Sequence, residues 1–384
     1  MNQTVREFRD FFVSLKVTVV LLVLSLLLVF FATLDQVNLG IWAVQEKYFR
    51  SFFVLARMGD VPVPVFPGGY LIGGLLLINL VAAQAYRFRF TWRKSGIWLT
   101  HAGLILLLVG ELLTGLWQRE YQLRLTEGET KSYSESSRAN ELAIIETTDP
   151  KFDDVVAIPQ SLLSPGREIQ HPRLPFRVVC RDFQPNAALQ IRPPGAEGAG
   201  AATGGVGPRL ALAPQPVSYK QDAQNWPAAV IELIGPDGSL GTWLVSMQLP
   251  VSQTVTLGGR SWRIGLRPER AYKPFSLTLE QVRHDVYIGT DIPKNFSSKI
   301  RLRTPDGSVD REVLIYMNNP LRYAGLTFYQ YQMDSEHATS VLQVVRNPSW
   351  LLPYISCAMM SLGLVVQFGI HLTGFVRRRR PLSA

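Results

Sequence analysis

The stretch Ile97–Thr126, IWLTHAGLILLLVGELLTGLWQREYQLRLT, contains two different periodicities. From Ile97 to Trp117 the chain is apolar for about six helical turns, long enough to cross a bilayer core of about 30 Å. From Tyr121 the pattern changes: Tyr121, Leu123 and Leu125 alternate with Gln122, Arg124 and Thr126, the two-residue period of a half-buried strand. A membrane helix therefore gives way to a β domain near Gln118.

Three further apolar runs match the first, from about Phe12 to Leu34, Gly69 to Tyr86 and Leu351 to Phe375. The 384-residue chain is 47% hydrophobic and 18% charged, with mean hydropathy +0.10, a balance that excludes a wholly soluble protein. The run from Phe12 is too long for the apolar region of a signal peptide, and its exit lacks a small-x-small cleavage site, so it reads as a retained anchor. The expected architecture is an integral membrane protein with four transmembrane α-helices and a large extracytoplasmic all-β, sandwich-like domain. Residues 1–117 form a three-span region with a cytoplasmic N-tail, 118–349 the β-rich domain, and 350–384 the fourth span with a basic cytoplasmic tail.

The net charge of +9 sits in three places: the N-tail, the loop of Arg87, Arg89, Arg93 and Lys94, and the C-tail from Arg377 to Arg380. Short basic segments stay on the cytoplasmic side, so both termini are expected there, in a bacterial cytoplasmic (inner) membrane, with the lipid bilayer as one partner. The large domain has no net excess of charge, which excludes a basic patch for nucleic acid. The two cysteines, Cys180 and Cys357, are too few and too far apart for a disulfide scaffold or a CxxC motif.

Within the β region, Val255 and Leu257, the turn Gly258-Gly259, and Trp262, Ile264 and Leu266 read as a hairpin. Ile300 to Arg303 and Val313 to Tyr316 read as another around Pro305-Asp306-Gly307. Residues 192–216, rich in glycine and proline, read as a flexible insert that splits the β domain.

Two of the five histidines, His101 and His371, lie in spans, where an ionisable group is costly and points to function. Counted from Lys94 and from Arg377, both are expected about 10 Å inside the cytoplasmic boundary. Two imidazoles at one depth would suit a bis-histidine haem b. The plainer reading is a hydrogen bond across helices, as for Asn79 and Gln84. His171, His284 and His337 read as surface or strand residues, Glu111 as an interfacial side chain, and Cys180 as a small apolar group in a strand core. No HExxH, GxSxG, CxxCH or nucleotide-binding glycine loop is present, so a self-contained hydrolase or nucleotide-driven pump is not expected.

Four segments resemble the ResB (CcsB) family of system II cytochrome c maturation. They are Phe12-Val13-Ser14-Leu15-Lys16 leading into the first span, Lys94 to Gly103 opening the third, Tyr287 to Ser298, and Met317 to Gly325 followed by Phe328-Tyr329-Gln330. The resemblance implies four spans around one large exported domain. It also implies a partner, ResC (CcsA), with which the family delivers haem b across the membrane and joins its vinyl groups to the two thiols of apocytochrome c. The family's span-three histidine maps onto His101, which is thus implied to be an axial ligand of the haem iron, with ResC supplying the opposing one. His371 has no such counterpart and stands on the depth argument alone. A holocytochrome c synthase (haem lyase) subunit of this kind is not expected to be catalytic by itself. Two other classes fit the residues: a membrane b cytochrome in electron transfer that ligates haem through both His101 and His371, and a haem-free, membrane-anchored binding or assembly protein.

Overall fold

The computed structural model describes residues 3–59, 61–86, 90–149, 152–192, 202–218, 224–249, 252–289, 293–334 and 338–379. Arg87, Arg89, Arg380, residues 193–201 of the glycine-rich insert, Thr290 to Ile292 and His337 lie outside the described residues. The chain divides into a helical unit and a β unit.

The helical unit begins with α1 (Gln3–Phe12) and α2 (Leu15–Val44), the latter capped by the Ser14 hydroxyl, which accepts from the Lys16 N–H. A hairpin of β1 (Phe53–Met58) and β2 (Val61–Pro67) leads to α3 (Gly69–Tyr86) and α4 (Ser95–Trp117), and α5 (Leu352–Arg379) completes the unit. Four segments, Leu15–Phe49, Gly69–Tyr86, Trp92–Trp117 and Leu352–Val376, are long and apolar enough to cross a membrane. The first does not end near Leu34 as expected. No breaker occurs before Gly40, where φ of +78° interrupts the helix, and the Asp35 carboxylate accepts from Lys47 Nζ at 2.6 Å and the Tyr48 hydroxyl at 2.8 Å.

Asn79, buried in α3, ties the start of α2 in place. Its amide donates to the Phe12 carbonyl at 2.6 Å and its oxygen accepts from the Thr18 hydroxyl at 2.6 Å. Helices α4 and α5 pack antiparallel along Gly96, Gly103 and Gly110, spaced one heptad apart. A methyl carbon at Gly96 would lie 2.5 Å from Gly363 O, so only glycine lets the backbones approach this closely.

The β unit is built on one ten-stranded sheet, which begins with β3 (Arg119–Thr126), β4 (Thr130–Glu146) and β5 (Asp154–Pro159), and on a separate four-stranded sheet. The four-stranded sheet contains β6 (Glu168–Ile169) and β7 (Arg177–Gln184) and, after the β8 (Ala187–Ile191) and β9 (Leu210–Pro214) ribbon, β10 (Ala228–Gly235) and β11 (Gly238–Ser246). The large sheet then resumes with β12 (Gln253–Leu257), β13 (Arg260–Val286), β14 (Pro293–Arg303), β15 (Asp310–Tyr316), β16 (Leu321–Tyr323), β17 (Leu326–Asp334) and β18 (Thr339–Arg346). Both expected hairpins form, as β12–β13 and β14–β15.

The unit has two large cores rather than a single sandwich. In the first, Leu142, Ile144, Trp262 and Ile264 of the large sheet pack on Val178, Cys180, Ile231 and Val245 of the small one. In the second, the large sheet packs on itself around Leu125, Leu277, Leu279, Ile300 and Phe328. The long strand β13 serves both cores, with even-numbered residues inward in the first and odd-numbered in the second. This reversal follows a register shift against β4 between Pro268 and Arg270. Opposite the shift, the Ser136 hydroxyl accepts from the Arg138 and Ala139 N–H groups and bulges β4 out of the ladder.

The described part of the insert is ordered, which corrects the expected flexible loop. Strand β9 pairs with β8, Ala202 joins Val230 and Leu244 in a small core, and Gly204 lies flat against the Trp243 indole. A methyl carbon at Gly204 would sit 2.6 Å from Trp243 Cε2, so this glycine serves close packing rather than freedom.

Candidate functional site

His101 lies in the second turn of α4, half-buried, with Nδ1 2.8 Å from the Ile97 carbonyl one turn earlier. A carbonyl can only accept, so Nδ1 carries the proton and the lone pair is on Nε2. That tautomer is the one a metal-ligating histidine needs, with its other nitrogen oriented by a backbone acceptor. At about 100° per residue His101 sits roughly 140° around α4 from Gly96, off the seam with α5.

Trp98, one turn before His101, buries its indole Nε1–H with no acceptor among the described residues. Gln84, near the end of α3 that adjoins the start of α4, buries both amide atoms without a partner among the described residues. A buried polar group left unpaired costs about 1–3 kcal/mol, so each of these side chains is an expense that helix packing does not explain. The sequence reading gives Gln84 a hydrogen bond across helices, which no described residue supplies, and a tryptophan near a span end reads as an ordinary interfacial residue. The buried, unpaired indole N–H is visible only in the structure.

His371 is exposed on α5, and its Nε2 accepts from the Gln367 amide at 3.0 Å. Gln367 also accepts from the Ile97 N–H at 3.3 Å and donates to the Arg93 carbonyl at 3.3 Å. His371 thus belongs to a cross-helix cap at the start of α4. The glycine contacts fix the helix register: Gly96 is level with Gly363 and Gln367, Gly103 with Ser356 and Met360, and Gly110 with Leu352. His101 is therefore level with Met360, and His371 lies about 16 Å further along the axis. An axial offset of this size does not suit two ligands of one iron. The expected same-depth pairing is overturned.

The remaining candidates are structural. His171 Nδ1 accepts from the Arg173 N–H at 3.2 Å, and His284 stacks on Phe296 with ring centroids 4.7 Å apart. Glu111 is exposed on α4. Cys180 is fully buried in β7, where burial first and Asp182 second push its thiol pKa up, so it packs as the expected apolar group and is a poor nucleophile. Among the described residues no three His, Cys, Asp or Glu side chains cluster as a metal site.

Residues 238–339, from β11 to the start of β18, match the model of the ResB-like family. The chain is also similar to Protein NrfI of Wolinella succinogenes, 32% identical over 98 residues. That alignment covers 26% of this chain and 11% of NrfI, so the chain spans a small part of the length of this relative.

Proposed function

We propose, from the premise that this is a ResB-like chain, that it serves cytochrome c biogenesis as a membrane subunit acting beside a ResC-type partner. The family match over residues 238–339 carries the reading, and two of the segments that resemble the family, Tyr287 to Gly289 with Pro293 to Ser298 and Met317 to Gln330, fall inside it. Four apolar helices suit a membrane protein, and the positions of the basic residues support a reading with both termini cytoplasmic and the β unit outside.

The residues around His101 fit haem b on two grounds. The Ile97 carbonyl orients the imidazole through Nδ1, as the non-ligating nitrogen of an iron-bound histidine is oriented, and the buried Trp98 N–H offers a donor one turn away. Haem supplies the vinyl groups that end as thioethers on the two apocytochrome thiols. His101 would be this chain's ligand to the haem iron, and a second ligand would come from the partner, since His371 lies too far along the bundle. The β unit orients the apocytochrome. The 16 Å offset also disfavours the electron-transfer cytochrome that would use both histidines.

The test is complementation in cells whose own copy is deleted, with haem-stained c-type cytochromes as readout. Wild type and His371→Ala restore them, and His101→Ala does not. Full cytochrome c levels in the deletion strain would refute the proposal.

A further inference from the structure

The outer face of β13 carries a second site, independent of His101. In a regular strand Arg263 and Arg267 would face one way and Arg270 the other. The register shift between Pro268 and Arg270 reverses the phase, and all three line one groove of about 770 Å³. Tyr133 and Tyr272 also line it, with ring centroids 5.7 Å apart, and the Arg270 guanidinium carbon lies 4.1 Å from the Tyr133 ring centroid. Ile145, Val155 and Leu249 add an aliphatic wall.

Each arginine is anchored by a carboxylate: Arg267 by Glu141 at 2.8 Å, Arg270 by Glu135 at 2.9 Å, and Arg263 by Asp153 at 3.3 Å. Of these acids only Asp153 lines the groove, so guanidinium groups outnumber carboxylates on its wall. A guanidinium has five N–H donors and one carboxylate engages at most two or three of them. Arg263 Nε is buried with no partner among the described residues. Burying the Arg267–Glu141 pair costs desolvation, which a purely structural strand would avoid with apolar residues.

We propose that this groove binds a small amphiphile bearing an oxyanion, a carboxylate or a phosphate, with the arginines on the oxyanion and the tyrosines and aliphatic wall on the body. Its volume is in the range of small-molecule sites. Arginine forks match both oxyanions, so the source is settled by competition.

The test uses the full chain in detergent micelles and metal-free protoporphyrin IX, a planar dicarboxylate, followed by its fluorescence. Wild type binds the diacid and discriminates against its dimethyl ester. Arg270→Gln and the more exposed Arg263→Gln each weaken binding by about tenfold, the loss expected for a charged hydrogen bond, with unchanged thermal midpoints. Displacement by a short-chain phosphatidylglycerol assigns the groove to lipid phosphate, and its failure to displace assigns it to carboxylates. Without iron the porphyrin makes no axial bond, so His101→Ala leaves binding unchanged and the two readings fail separately. Equal affinity for diacid and ester, or no effect of either arginine variant, would overturn the proposal.

Discussion

His101 and His371 are both span histidines, and what separates them is the partner each nitrogen meets. His101 Nδ1 donates to the Ile97 carbonyl of its own helix, whereas His371 Nε2 accepts from Gln367. The candidate His101 was legible in the sequence as an ionisable group inside an apolar run. Its tautomer was not, because that depends on helix geometry. In the β unit, Lys273 is half-buried, donates to the Ser134 hydroxyl at 2.6 Å, and has its pKa lowered by burial to about 8. The folded state therefore favours neutral lysine, and between about pH 8 and 10.5 the unfolded chain binds more protons. Stability from this group thus rises with pH across that window, and the full cost is present below it. Lys273→Met is expected to stabilise the β unit by roughly 1 kcal/mol at pH 7, after allowing for partial solvent screening, with the gain shrinking by pH 10. Thermal midpoints of both proteins across that range check it. A gain that does not depend on pH would contradict the titration.

At the scale of elements, patterns with a period of two were legible and contacts between elements were not. The Gly258-Gly259 turn was readable because both residues adopt positive φ, +59° and +76°, as a two-residue hairpin turn requires. The order of the insert was hidden because composition does not reveal that Gly204 packs on Trp243. The depth of His371 was misjudged because counting from Lys94 and Arg377 assumes one common boundary. Gln367 is level with Gly96, so α5 runs about 18 Å past that point to Arg379. The α4–α5 seam gives a direct check. A methyl carbon at Gly103 would sit 2.9 Å from Ser356 O, whereas Gly73 on α3 has open space. Gly103→Leu is expected to cost about 1–3 kcal/mol of stability in detergent, and Gly73→Leu nearly nothing. Equal effects of the two would mean that the seam does not hold the helices together.

At the scale of the whole molecule, the helical period gives way to a strand period at Tyr121, and in the structure the long helices with the β1–β2 hairpin form one unit and β4 to β18 the other. The two cores were not legible, since the phase reversal within β13 depends on the Ser136 bulge in β4. Because β13 runs through both cores, they are expected to unfold together. Trp262→Ala in the first and Phe328→Ala in the second should each cost about 3–5 kcal/mol and accelerate hydrogen exchange in both cores. Exchange confined to the mutated core would show two independent halves. The central claim, one haem held by His101 of this chain and a ligand of its partner, is tested most directly by reduced-minus-oxidised spectra of the chain purified with a ResC partner. A bis-histidine b-type spectrum that is lost in His101→Ala, restored by imidazole and intact in His371→Ala is the expected result. An unchanged spectrum in His101→Ala would contradict it.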